Sequence, residues 1–394
     1  MWSAAPVTFV NALVIGPDDE RYSSVRVRGG LIERLDERPL RGDAVIDLDG
    51  AIVFPGLING HDHLELNSFR RLKWRPRYDN VREWIADFQP RFASDPELAL
   101  ARIETLEERL WVGGLKNLLS GVTTVCHHNP VHKPLRRRFP VRVVRRFGLS
   151  HSLHIDGARV AEAQQATPAG WPWIIHAAEG IDEAAQAEVP TLGAMGCLRP
   201  NTVLVHGVAM TPSQIEAVLG AGASLVWCPT SNDFLFARTA SVARFAECGR
   251  LSLGTDSRLS GEGDLLDELR AAHARAQVLP RRLFQAVSSD AATVLRLAAA
   301  GRIERGAPAD LTVMSRLTDD PFDTLVSASR GAVRLTMIDG KPLVSDDRLR
   351  AVFDARSEPA ARIRVDGDLR HVSSWIAARV AAMTLAEPGV HVES

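Results

Sequence analysis

The stretch Asn59-Gly60-His61-Asp62-His63 sets two imidazoles two residues apart, directly after the apolar run AIVFPGLI. In an extended chain residues i and i+2 face the same side, so His61 and His63 can offer nitrogens to one ion. Three more polar residues stand where apolar runs end: WPWII leads to His176, NTVLV to His206, and LSLG runs into Asp256. The C-terminal ends of the strands of a (β/α) barrel converge on one face, where active sites lie. Residues far apart in sequence would meet there. Any one strand-end histidine is more often a hydrogen-bonded core residue, but repetition at successive strand ends makes that account poor. Three histidines and an aspartate suit Zn²⁺ or another borderline divalent ion.

One more residue turns a metal site into a reaction. Glu179 follows His176 by three positions in HAAE. A metal-activated hydroxide can attack a planar carbon, but the departing nitrogen needs a proton. A partly desolvated carboxyl with a raised pKa can carry it. The competing account makes Glu179 a helix-start carboxylate favoured by the dipole.

These residues need a frame. Residues 7–16, 25–35 and 44–54 are β-rich, and a second β-rich patch returns at 310–314 and 333–344. Between them short apolar strands alternate with helical stretches, the texture of parallel βα units. Candidate strands are 52–58, 122–127, 141–150, 173–176, 202–206, 223–227 and 251–255, with helical patterns at 97–119, 157–166, 212–221, 264–277 and 281–299. The tail carries one helix near 372–385 and nothing assignable to chemistry.

The 394 residues can bury a large core, and with 45% hydrophobic and 24% charged residues they read as an ordinary globular protein. A net charge of -1 gives no global pull toward nucleic acid or anionic membranes. Basic character is local, in FRRLKWRPRY (69–78) and LRRRFPVRVVRRF (135–147), each either a solvated face or the border of an anion site. The scattered Cys126, Cys197, Cys228 and Cys248 form no CxxC and favour a reducing, cytoplasmic setting. The opening MWSAAPVTFVNALVIG lacks a basic leader and alternates like a strand.

PGLINGHDH (55–63), SGVTTV (120–125), HAAE (176–179), VLVHG (203–207), CPTSN (228–232), GTDS (254–257) and GRIERGAPADLTV (301–313) together resemble the amidohydrolase superfamily, in particular its cytosine deaminase-like and chlorohydrolase-like branch. The resemblance implies a (β/α) TIM-like barrel with a small β-sandwich from both chain ends. The divisions would be 1–54 (sandwich), 55–304 (barrel), 305–352 (sandwich) and 353–394 (C-terminal extension). By position, His61, His63, His176 and Asp256 would bind one metal, and Asp256 would accept a proton from its water. Glu179 would shuttle a proton, and His206 would orient the hydroxide or polarise the attacked carbon. Asn232 would hold the loop above strand seven.

Binuclear relatives bridge two metals with a carboxylated lysine. Lys73, Lys116, Lys133 and Lys341 are the only lysines, and none ends a candidate barrel strand. One ion is therefore expected, Zn²⁺ foremost, with Fe²⁺ or Mn²⁺ as alternatives. Between His127 and His176 there is too little chain for three βα steps of roughly thirty residues. The barrel is expected to be shortened or distorted between strands two and five. His127, His128, Trp74 and Arg70 are candidate substrate contacts, with the loop 64–91 as a cap over the mouth.

The expected activity is hydrolytic deamination of a heterocyclic amidine in a small molecule. Hydrolysis of a cyclic or linear amide at the same site is the alternative. A catalytically silent assembly subunit is the third reading. A homodimer without nucleic-acid or membrane partners is the expected assembly. The zinc deaminases with an H-x-E and P-C-x-x-C signature are excluded by the missing CxxC.

Overall fold

The computed structural model describes residues 5–16 and 19–393. Residues 1–4 of the opening segment lie outside that set. Its apolar alternation becomes the strand Val7–Ile15, whose alternate residues Val7 and Phe9 are fully buried.

Eight parallel strands position the site. Leu57–Asp62, Val122–His127 and Arg142–Val143 form one sheet. Gly148–Ser152, Trp173–Ala177, Thr202–His206, Ser224–Trp227 and Leu251–Leu253 form a second. Most of their residues are buried, as expected of parallel strands covered on both faces. The two sheets join where Asp62 bridges Asp256 and Asp256 N–H donates to the His61 carbonyl at 3.1 Å. The backbones approach closely there: a Cβ on Gly254 would stand 2.7 Å from that of His61.

The single strand expected at 141–150 is two. Arg142–Val143 pairs with Thr124 and Val125, and after residues 144–147 Gly148 pairs with Trp173 at the start of its strand. No helix lies between them. The shortening expected between strands two and five is thus the loss of a helix, not of a strand. The expected strand 52–58 also divides, at Gly56. Ile52–Pro55 joins a different sheet, whereas Leu57–Asp62 carries the histidines.

That other sheet has eleven strands drawn from both ends of the chain. Ile52–Pro55 pairs antiparallel with Leu311–Met314, placing Pro55 opposite Leu311. Val7, Phe9, Val25, Ile52's neighbour Val53, Leu311, Val313 and Leu335 share one apolar core. The tail joins the same sheet. Ala360–Val365 and Asp368–Ser373 form a hairpin over Asp366-Gly367, Asp368–Ser373 pairs with Lys341–Ser345, and Ser374–Ala381 is helical. Val365, Val372 and Ile376 pack with Leu110, Leu115 and Leu118 of the helix Leu106–Leu119. Among the described residues no helix is long and apolar enough to cross a membrane.

Candidate active site

Tight backbone turns close three of the parallel strands. Ala178, His206 and Asp256 adopt left-handed backbone conformations, with φ of 53°, 75° and 53°. Such conformations cost non-glycine residues on the order of 1–3 kcal/mol each and persist only where the surroundings enforce them. The surroundings here are strand-to-strand bonds, including Gly207 N–H and Ala209 N–H on the Ala177 and Ala178 carbonyls.

The donor atoms converge. His176 Nε2 lies 3.3 Å from His61 Nε2 and 3.4 Å from His63 Nε2. Asp256 Oδ1 lies 3.7 and 3.6 Å from the same Nε2 atoms of His61 and His63. Donors held about 2.0–2.1 Å from one tetrahedral centre stand about 3.3–3.4 Å apart, so these four fit a zinc-sized ion with small adjustments. His128 also places a ring nitrogen within 4.8 Å of the other three histidines. It faces the other side of His61, however: its Nδ1 is 3.2 Å from His61 Nδ1, and its Nε2 is 3.0 Å from the Ser150 carbonyl. His128 therefore orients His61 from behind, as outer partners of metal-binding imidazoles do.

The other donors are oriented too. His176 Nδ1 donates to the His151 carbonyl at 2.8 Å, which leaves Nε2 free to bind. Asp256 Oδ2 accepts hydroxyl bonds from Ser231 and Ser260, both at 2.8 Å, which turns Oδ1 toward the histidines. Burial, then the neighbouring histidines, pushes His63 and His176 well below the usual imidazole range, which favours the neutral form that metals bind. Burial would raise Asp256, but His61, His63 and His206 outweigh it and hold the carboxylate ionised.

Glu179 and His206 form the reactive edge. His206 Nε2 is 3.5 Å from Glu179 Oε1, and both are almost wholly buried. Burial, with Asp256 and Glu188 adding repulsion, pushes the Glu179 carboxyl well above its usual range. Burial lowers His206 to about 4, so the ring is neutral. His206 Nδ1 donates to Asn232 Oδ1 at 2.9 Å, which leaves an Nε2 lone pair facing Glu179.

The candidate substrate contacts scatter. His127 is buried, accepts the Leu64 N–H at 3.3 Å and lies 3.7 Å from Glu65. Trp74 packs on Phe88 beneath the Arg91 guanidinium. Arg70 is exposed and lines a separate cavity of about 510 Å³ with Arg258 and Glu262. The segment around them is a strap across neighbouring strand ends. Val81 N–H bonds the Glu179 carbonyl, Ile181 N–H bonds that of Asp79, and Arg71 bonds the carbonyls of Thr230 and Ser260. A Cβ on Gly180 would fall 2.6 Å from the Asp79 carbonyl oxygen, so the strap needs glycine there.

Sequence reasoning missed the support beneath the histidines. Asp62, between them, points away into a sealed polar cluster. Its carboxylate pairs with Lys116 Nζ at 2.9 Å, both side chains being wholly buried. Asn67 and Asn117 also donate to it, both at 2.8 Å. Lys116 reaches Asn67 and Thr255 as well, so its ammonium is fully engaged. Asn67 Oδ1 accepts the Arg258 N–H, and Arg258 grips the buried Glu387 of the tail through two bonds of 2.7 Å. Removing one partner of a buried pair strands the other charge. Lys116→Met is therefore expected to cost about 3–5 kcal/mol in a denaturant titration, and a loss below about 1 kcal/mol would show the pair to be dispensable.

Three buried imidazoles and a carboxylate, with the buried Glu179 carboxyl beside them, form a donor set that could hold a metal ion in an α/β fold. The amidohydrolase family model matches residues 150–343, the part that supplies His176, Glu179, His206 and Asp256. The chain is 29% identical to a 5-methylthioadenosine/S-adenosylhomocysteine deaminase of Halobacterium salinarum, over 77% of this chain and 84% of that one. It is 27% identical to the enzyme of the same name from Haloarcula marismortui, over 88% and 92%. Its fold is that of the zinc complex of atrazine chlorohydrolase TrzN from Arthrobacter aurescens TC1, with a TM-score of 0.72, 18% identity and coverage of 89% and 99%. The chain is thus similar to the amidohydrolase family over about half of its length.

Proposed function

We propose that this protein is a mononuclear, metal-dependent hydrolase that removes an exocyclic amine from a heterocyclic amidine. The carrying observation is the buried Glu179 carboxyl, held 3.5 Å from His206 at the edge of the donor set. Its raised pKa suits a group that must give a proton at neutral pH. The deaminase names of the relatives support the same reading.

In this reading His61, His63, His176 and Asp256 hold one divalent ion, zinc foremost, as donor spacing and the zinc-bound structural neighbour support. Such an ion acts as a Lewis acid and makes water nucleophilic at neutral pH. The chain does the rest. Asp256 accepts a proton from the attacking water. The neutral His206 accepts a hydrogen bond at Nε2 and aims that water at the carbon bearing the amine. Glu179 delivers a proton to the nitrogen that departs as ammonia, and the ring carbon keeps the oxygen. Burial of the whole set keeps competing water out. Architecturally, the reading takes the two parallel sheets as one barrel, shortened after its third strand, with the eleven-stranded sheet as the sandwich. Four unpaired cysteines support a reducing, cytoplasmic setting.

Metal analysis should find about one divalent ion per chain, and a value near two would overturn the mononuclear site. A screen for ammonia release from amino-purines and amino-pyrimidines, run beside cyclic amides, tests the chemistry. Turnover of a cyclic amide with no ammonia from any amidine would reject deamination.

A further inference from the structure

The basic stretch 135–147 takes no part in the site described above. It lines a cavity of about 1100 Å³ that opens where the helix after Arg142–Val143 is missing. This cavity lies toward the N-terminal ends of the parallel strands, against Thr124, Arg142 and Trp171, away from the histidines at the C-terminal ends.

Its charge is unbalanced. Arg142 is paired with Asp310 and Asp339, and Arg138 with Glu358. Arg137, Arg145, Arg146, Arg296 and Lys341 line the same cavity, and no ion pair is found for any of them among the described residues. Arg145 and Arg296 bond only the carbonyls of Leu135 and Pro200, which steadies them without neutralising them. Gathering five uncompensated cations around one concavity costs free energy through self-repulsion, and an anion in the cavity relieves it.

We propose that this cavity binds a small polyanion carrying two or more phosphate groups. Guanidinium forks match phosphate oxygens in pairs, whereas a single carboxylate would leave most of the five cations unmet. The volume of about 1100 Å³ lies just above the usual range of small-molecule sites, roughly 300–1,000 Å³, and exceeds what one phosphate fills. The net charge of -1 gives no wider field for a nucleic acid to follow.

Calorimetric titration of the full, metal-loaded chain with tripolyphosphate, and separately with ATP, tests this. Saturable binding is expected for at least one probe, weakened about tenfold or more by the double substitution Arg145→Ala/Arg146→Ala. Both arginines are exposed, so fold, metal content and turnover should be unchanged, and Arg145→Lys/Arg146→Lys should keep part of the affinity. Tighter ATP binding would assign the site to nucleotides, and tighter tripolyphosphate binding to inorganic polyphosphate. Heat from chelation of the metal would be the same in wild type and variant. No saturable binding at millimolar probe, or binding that survives the double alanine change, would overturn the site.

Discussion

Turnover is expected to fall by about 10²–10⁴-fold when Glu179 is changed to Gln, with metal content unchanged. The amide keeps the shape and burial of the carboxyl but cannot cycle a proton. A purely structural role predicts something else. A helix-start carboxylate is worth a few tenths of a kcal/mol to about 1 kcal/mol, so the variant would be slightly less stable and nearly as fast. The backbone argues against that account: Glu179 lies outside the helix Glu183–Gln186, whose N-cap is Asp182 through its bond to Ala185 N–H. Near-normal rates in the variant would reject the proton relay even with the metal site intact.

Loss of both metal and activity is expected from His61→Ala, His63→Ala, His176→Ala or Asp256→Ala. Each removes one of four donors, and a three-donor site lacks the closed set that the spacing of 3.3–3.7 Å provides. His128→Ala separates the two histidine roles. If His128 only steadies His61 from behind, its removal should weaken metal binding about 10–100-fold, the usual effect of an outer partner, and excess metal should restore activity. Failure of excess metal to rescue it would instead make His128 a direct ligand.

Much of the centre was legible because parallel strands end on one face. His61, His63, His176, His206 and Asp256 each follow an apolar run, and Glu179 stands one short turn from its histidine. What was not legible depends on pairs with no sequence relation. Nothing in SGVTTV or in the helix before it announces that Lys116 reaches Asp62. Ser231 and Asn232 adjoin in CPTSN, yet one serves Asp256 and the other His206, which only the two strand ends in space reveal. The stretch 141–150 read as one strand because VRVVRRFGLS is β-favouring throughout, with no turn residue before Gly148 to mark the break. The tail differs. Asp366-Gly367, with φ of 53° and 92°, is the two-residue hairpin signal, flanked by alternating RIRV and LRHV. That signal is readable in the sequence beside the helix that follows it.

The pairing of Pro55 with Leu311 bears on how the protein is made. A ribosome releases Ile52–Pro55 early, but its partner strand emerges only after the whole parallel-stranded region has been synthesised. Until then the first β-rich segment presents an open edge, a template for the wrong neighbour. The Asp256 loop waits longer still, because Arg258 gains its carboxylate only when Glu387 appears. Assembly of the centre is thus governed by long-range closure, which is intrinsically slow. That early edge needs shielding until its partner strand emerges.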